Sequence, residues 1–271
     1  MSKLGATDPP ESERIAKRIA RSGLCSRREA ERWIADGRVA LDGEVLTSPA
    51  VTVGAGSLIT VDGAPLPAPE RARLFRFHKP RGVLTTAGDP QGRPTIYDRL
   101  PAGLPRLMPI GRLDFDSEGL LLLTNDGGLK RRLELPATGW TRRYRVRAHG
   151  KIDEAKLASL KEGVTVDGIA YGPIEAKLDR VQGSNAWLTI SLREGKNREI
   201  RKALLSFGWL VTRLIRIGFG PFQLGKMEPG RIDEVQGKVL KEQLGVIPES
   251  GSASRRARRA LAGEPAPAEG S

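Results

Sequence analysis

The sequence predicts an α+β fold in two parts, a small helical module followed by a larger domain on a mixed or antiparallel sheet. Residues 73–247 carry mostly strand signals, joined mainly through turns rather than helices. Residues 13–64 instead place two short helix patterns ahead of a hairpin signal. Between them, Pro65, Pro67 and Pro69 make a semi-stiff linker over residues 65–72. Residues 1–12 and 248–271 are small, polar and Pro- or Gly-containing and are expected to be disordered, the second as a basic tail around Arg255-Arg256-Ala257-Arg258-Arg259.

In order, Ile15 and Ile19 mark a helix from Arg14 to Ala20, stopped by Ser22-Gly23. Ser26-Arg27-Arg28-Glu29 has capping-box spacing and opens a second helix through Ala30, Trp33 and Ile34 to Gly37. Val39-Ala40-Leu41, Asp42-Gly43 and Val45-Leu46 form a hairpin signal, and Leu58–Val61 before Asp62-Gly63 closes the unit. In the larger part, strands are predicted over Leu74–His78, Leu120–Thr124, Tyr144–Ala148, Ile174–Leu178 and Ala186–Leu192. Helices are predicted over Ile152–Lys161 and Asn197–Phe207, the latter stopped by Gly208.

The chain's 45 Lys and Arg against 32 Asp and Glu give a formal charge of +13 over 271 residues. That excess favours a polyanionic partner, nucleic acid ahead of a membrane surface. No apolar run reaches the length of a membrane span, and the N-terminus lacks a signal peptide's apolar segment. One cysteine, Cys25, leaves no internal disulfide and suits a reducing cytosol, so a cytoplasmic protein is expected. With that cysteine, His78 and His149 as the whole Cys/His inventory, neither a protein-built zinc site nor a Cys/His nucleophile pair is expected. Cys25 reads as a small packing residue.

The stretch Gly111-Arg112-Leu113-Asp114-Phe115-Asp116-Ser117-Glu118-Gly119, continuing Leu120-Leu121-Leu122-Leu123-Thr124-Asn125-Asp126-Gly127, sets a carboxylate against an apolar segment that must be buried. Burying a carboxylate is costly unless it is paired or does chemistry, which makes Asp114 a catalytic candidate. In the front module Arg14, Lys17, Arg18, Arg21, Arg27 and Arg28 occur with no acid among them, a surface suited to phosphates. The plain alternative is a solvated helix face.

Two resemblances sharpen this. Arg18-Ile19-Ala20-Arg21-Ser22-Gly23-Leu24-Cys25-Ser26-Arg27-Arg28-Glu29-Ala30, continuing to Ile34 and Gly37-Arg38-Val39, resembles the S4 RNA-binding domain over residues 13–63. His78-Lys79-Pro80-Arg81-Gly82-Val83 with Asp89-Pro90, the Gly111–Gly127 stretch, Arg143-Tyr144-Arg145-Val146 and Arg193–Arg201 together resemble the RsuA/RluB type of ribosomal RNA pseudouridine synthase. The resemblance implies that a pseudouridine synthase catalytic domain follows the S4-like one. It implies a cofactor-free and metal-free isomerisation of uridine to pseudouridine within RNA, with Asp114 as the essential aspartate. It also implies that Tyr144 packs on the target base and that Arg201 pairs with Asp114. Arg142 stands where a lysine is frequent and Arg198-Glu199 where His-Gln is frequent, which touches only the finer substrate contacts.

For the chemistry, a carboxylate serves either as nucleophile at C1′ or as base at C2′, and both remain open. The uridine must leave its stack, and an aromatic such as Tyr144 replaces the lost stacking. Arg112, Lys130, Arg131, Arg132, Arg142, Arg143, Lys196, Arg198, Lys202, Arg213 and Arg216 are candidate walls of an RNA cleft. Asp116 reads as a turn residue or as a support for Asp114, Asp126 as a plain turn residue, and Trp187 and Trp209 as core. The expected partner is ribosomal RNA or a ribosome assembly intermediate, leaning to the large subunit, bound by a monomer without a small-molecule cofactor. The competing readings are a non-catalytic RNA-binding or assembly protein, disfavoured by the complete Asp114, Tyr144 and Arg201 set, and a DNA-binding module, for which no recognition motif is present.

Overall fold

The computed structural model describes residues 12–135 and 139–244. The front module begins with strand β1 (Ser12–Arg14), helix α1 (Ile15–Arg21) and helix α2 (Arg27–Ala35), followed by β2 (Val39–Leu41), β3 (Glu44–Val45), β4 (Thr52–Gly54), β5 (Ile59–Val61) and β6 (Ala64–Pro65). Ile15, Ile19, Ala30 and Ile34 are wholly buried, because the two helices turn their apolar stripes toward one another. Ser26 Oγ accepts from Glu29 N at 3.1 Å and so starts α2, as its spacing predicts. Asp42 (φ 52°) and Gly43 (φ 92°) both take the left-handed conformation that a tight hairpin between β2 and β3 requires. Asp62-Gly63 repeats the device between β5 and β6, so Pro65 belongs to a paired strand and the linker starts after it. Ser12, expected to be disordered, instead pairs with Gly54; the other segments expected to be disordered, residues 1–11 and 248–271, lie outside the described residues. Cys25 packs in this core, and burial pushes its thiol up to about 11.

The basic surface of this module differs from expectation. Glu13, just outside the run inspected for acids, is buried and gathers Lys17 (3.1 Å), Arg18 (2.7 Å) and Arg21 (2.8 Å) around one carboxylate. Half of the six cations are therefore tied into the fold, while Arg14, Arg27 and Arg28 stay exposed. Desolvation works to raise the Glu13 pKa, but the hydrogen bonds and charges of Lys17, Arg18 and Arg21 outweigh it and hold the carboxyl below its ordinary value. Stability from this cluster is therefore present above the ordinary carboxylate range and is lost as pH falls through the lowered value. Glu13→Ala is expected to cost about 1–2 kcal/mol and to remove that acid-side dependence; pH-resolved denaturant titration reads both.

The larger domain contains β7 (Leu74–Lys79), β8 (Met108–Ile110), β9 (Glu118–Thr124), α3 (Gly127–Glu134), β10 (Arg142–His149), α4 (Glu154–Ser159), β11 (Val164–Val166) and β12 (Ile169–Tyr171). It continues with β13 (Ile174–Gln182), β14 (Asn185–Leu192), α5 (Glu199–Leu205), β15 (Leu210–Phe219), β16 (Phe222–Gln223), β17 (Ile232–Glu234) and α6 (Gly237–Leu244). The main sheet runs β13-β14-β10-β15-β9-β7-β17, with β16 on β15 and β8 on β9. All its pairings are antiparallel except β15 with β9, which makes the sheet mixed, as the α+β class predicts.

At the parallel seam Gly119 (φ 106°) comes so close to β15 that a Cβ there would lie 2.3 Å from the Arg216 carbonyl oxygen. Only glycine fits between a strand and its neighbour at that distance. Alternation along β9 feeds two cores: Leu121 and Leu123 join Phe75, Phe77, Val146 and Leu188 on one face, and Leu120 and Leu122 join Leu74, α3 and α6 on the other.

Several elements depart from the sequence pattern. β15, the longest strand, was not predicted, because Arg213 and Arg216 interrupt its apolar alternation. α3 was read as a plain turn at Asp126, but that carboxylate accepts from Leu129 N at 2.6 Å and caps the helix. The helix predicted over Ile152–Lys161 is shorter and finishes as a 3₁₀ turn, Leu160–Glu162. α5 begins at Glu199 rather than Asn197, because Arg198 is left-handed (φ 51°).

Candidate active site

The Asp114 turn precedes β9, and other parts of the domain hold it in place. Lys79, at the end of β7, has no exposed surface, and its ammonium donates to the carbonyl oxygens of Pro80 (3.1 Å), Asp114 (3.0 Å) and Ser117 (2.8 Å). Burial lowers its pKa to about 8, although Asp114, Asp116 and Glu118 pull the other way. Thr85 Oγ1 donates to the Leu113 carbonyl (2.9 Å) and accepts from Leu113 N (3.3 Å). Gly111 N donates to Glu134 Oε1 at 2.7 Å, and Gly82 N to the Phe115 carbonyl at 2.8 Å. The polypeptide around Asp114 is thus fixed by backbone bonds while its side chain is left in an open cleft.

That cleft has a volume of about 940 Å³ and is lined by Asp114, Tyr144, Arg112, Arg142, Lys196, Arg198 and Arg216 among others. The Asp114 side chain is 31% exposed, so it is not the buried carboxylate the sequence suggested. Its nearest cation is Arg198, with Nη1 3.8 Å from Oδ2. The expected pairing with Arg201 is not formed: Arg201 Nη2 lies 3.1 Å from Asp116 Oδ2, and Nη1 donates to the Val211 carbonyl. Asp116, read as a turn residue or as a support for Asp114, is the junction that Arg198 (3.2 Å) and Arg201 share. Partial desolvation works to raise the Asp116 pKa, but the Arg198 hydrogen bond and the charges of Arg201 and Arg198 hold it below its ordinary value. Arg201 is thus paired with Asp116 and acts on Asp114 as a neighbouring charge. The left-handed backbone at Arg198 is strained for a non-glycine residue, the kind of cost that collects at functional sites.

Tyr144 is buried on β10 in the same core cluster as Val146, Leu214 and Ile200 and also lines the cleft. Arg216 is also buried. Nε donates to the Leu120 carbonyl at 2.7 Å, while Nη2 has no hydrogen-bond partner among the described residues. Arg142 stacks over Phe219 at 5.0 Å and donates to the Arg193 carbonyl at 2.5 Å, and Lys196 is drawn to Glu194 at 2.9 Å. Arg112 is exposed at the cleft. Lys130 also lines it, whereas Arg131, Arg132, Arg143, Lys202 and Arg213, expected on its walls, do not.

Three features in or beneath the cleft escaped the sequence reading. Phe115 is 44% exposed beside Asp114 and offers an aromatic face there. Lys79 passed only as part of a motif, because nothing in sequence shows that it will be buried. Glu199 is buried, and burial with the nearby Glu194 carboxyl pushes its pKa up to about 7, against a bond from Lys196 N that lowers it. A carboxyl raised in the fold gives stability that is full below its ordinary value and is lost as pH rises through about 7. Glu199→Gln is therefore expected to raise the melting temperature at pH 8 more than at pH 5, and thermal scans at both check it. Among the described residues no group of three His, Cys, Asp or Glu side chains is placed to hold a metal ion.

Comparison with known proteins agrees with this geometry. Residues 73–206 match the family described as RNA pseudouridylate synthase, and residues 13–59 match the S4 domain. An RNA pseudouridine synthase of Rickettsia felis is 44% identical over 230 residues, covering 85% of this chain and all of the relative. Ribosomal large subunit pseudouridine synthase B of Shigella flexneri is 39% identical over 252 residues, covering 89% of this chain and 87% of the relative. A solved pseudouridylate synthase superposes with a TM-score of 0.60 at 26% identity, covering 85% of this chain and 99% of that one.

Proposed function

From the premise that the chain belongs to the RNA pseudouridylate synthase family, we propose that it isomerises one uridine of large-subunit ribosomal RNA, with Asp114 as the catalytic carboxylate. The observation that carries the assignment is the placement of Asp114: a partly exposed carboxylate on a turn clamped by Lys79 and Thr85, in a cleft that also holds Tyr144. The N1–C1′ bond of the target uridine breaks, the base turns while held in the cleft, C5 bonds to C1′ and gives up its proton, and N1 ends protonated. No atom is gained or lost. Asp114 acts as nucleophile at C1′ or as base at C2′.

Tyr144 packs on the flipped base and, with Phe115, supplies the stacking that the base loses on leaving the RNA. Arg198 sits within charge range of Asp114, and Arg201 holds Asp116 and through it the position of Arg198. The unspent donor of Arg216 awaits an oxygen of the bound nucleotide. Arg112, Arg142 and Lys196 contact phosphates, as do the exposed Arg14, Arg27 and Arg28 of the front module, and such contacts position the RNA without specifying it. The protein works as a cytoplasmic monomer, without a cofactor, on free ribosomal RNA or an assembly intermediate.

Incubation of the purified protein with large- and small-subunit ribosomal RNA transcripts, followed by pseudouridine sequencing, tests the proposal. One new pseudouridine in the large-subunit transcript is expected; modification only in the small-subunit transcript would overturn the substrate assignment.

A further inference from the structure

The face of the main sheet opposite the one that buries Tyr144, Leu121 and Leu123 is only half covered. Over β7, β9 and the end of β15 it is sealed by α3 and α6, whose Leu129, Leu133, Leu240 and Leu244 pack on Leu74, Leu120 and Leu122. Over β10, β13 and β14 it is open. Along β10 the buried Tyr144, Val146 and Ala148 alternate with the exposed Arg143, Arg145 and Arg147. Register fixes what lies beside them: Arg143 opposes Ser191, Arg145 opposes Thr189, and Arg147 opposes Trp187 on one side and Arg213 on the other. Directly opposed residues share a face. Trp187, expected in the core, is therefore on this outer face, half-buried, with the Arg145 guanidinium over its ring at 4.9 Å. Lys177, opposite Thr189 on β13, extends the positive charge.

Carboxylates on this face are committed or peripheral. Glu118 holds Arg213 at 2.6 Å, Asp179 accepts from the Thr189 hydroxyl at 2.8 Å, and Glu175 lies at the Ser191 end. Among the described residues Arg143, Arg145 and Arg147 form no ion pair.

We propose that this outer face is a second RNA-docking surface, which grips the phosphate backbone of the substrate RNA on the face of the sheet opposite Tyr144. The inference rests on the proposed function for the identity of the RNA. Alternate side chains on a strand stand about 6.6–6.8 Å apart, so the arginines form a straight, rigid row of fork-shaped phosphate donors. A row of unpaired arginines on a strand gains nothing for the fold and repels itself; phosphates relieve that repulsion and release counterions. Trp187 adds an aromatic surface for an unpaired base, already oriented by Arg145. A protein partner is the poorer fit, because charged side chains are depleted at the core of most protein interfaces and this face presents a row of them. RNA held at the cleft and at this face passes around the edge of the domain, so RNA beyond the immediate neighbours of the target uridine is engaged.

The test compares the full chain with R143Q/R145Q/R147Q and with a control of equal charge change, K226Q/K238Q/K241Q, all exposed positions. Binding to large-subunit ribosomal RNA is measured by filter retention across a potassium chloride series, with isomerisation followed in parallel. The arginine variant is expected to lower the slope of log affinity against log salt by about 2–3, with the control losing less than half as much. KM should rise while kcat at saturating RNA is unchanged. An unchanged slope, or a control that loses as much as the arginine variant, overturns the docking surface. A wild-type protein that binds this RNA but isomerises no uridine in it overturns the proposed function instead, and the slope comparison still decides the docking surface.

Discussion

Replacing Asp114 by Asn is expected to lower the single-turnover isomerisation rate by about four powers of ten or more, with RNA affinity and melting temperature close to wild type. The size follows from removing a group that acts only in the transition state. The selectivity follows from the geometry. Asp114 is partly exposed, its nearest cation is 3.8 Å away, and the turn is held through main-chain carbonyls rather than through this side chain. Asparagine keeps the volume and leaves Arg198 and Arg201 their bonds to Asp116. A parallel collapse of affinity and stability would make Asp114 a structural residue and return the chain to the binding-only reading.

Lys79→Met carries the second large effect, through position rather than chemistry. Methionine fills the same space but leaves the carbonyls of Pro80, Asp114 and Ser117 without their shared donor. Each orphaned carbonyl costs on the order of 1 kcal/mol, and relief from burying an ammonium offsets part of that, for a net loss of about 2 kcal/mol at pH 7. A turn that drifts by about 1 Å lowers kcat by about 100-fold. The pH dependence separates this from generic destabilisation. The buried lysine titrates at about 8 against an ordinary 10.5, so between those values the unfolded chain binds the extra proton. Wild-type stability therefore gains from this group as pH rises through that window, and the gain disappears in the methionine variant. Denaturant midpoints from pH 7 to pH 10, with kcat, check both parts.

The sequence was legible where local chemistry decides the outcome. Ser26 before Glu29, Asp42-Gly43 between apolar pairs, and the alternation of Tyr144, Val146 and Ala148 each name their structure, because the signal and its cause lie within a few residues. The site was legible in part: Asp114 and Tyr144 line one cleft, whereas Arg201, the third of the expected set, does not line it. What stayed hidden depends on partners distant in the chain. Strand β15 reads as broken by charge until Arg216 finds the Leu120 carbonyl and Arg213 finds Glu118. Arg201 was paired with the wrong aspartate, since Asp114 and Asp116 differ only in where the turn points them. Arg143 and Trp187 were assigned to the cleft wall and the core, because period-two alternation separates the two faces of a sheet without saying which face is covered.

The most direct measurement is a pseudouridine map of ribosomal RNA from cells lacking this protein, rescued with wild type or with Asp114→Asn. The account predicts the loss of one large-subunit pseudouridine, restored by the wild type and not by the variant. A map unchanged by the deletion, or a site restored by both proteins, would contradict it.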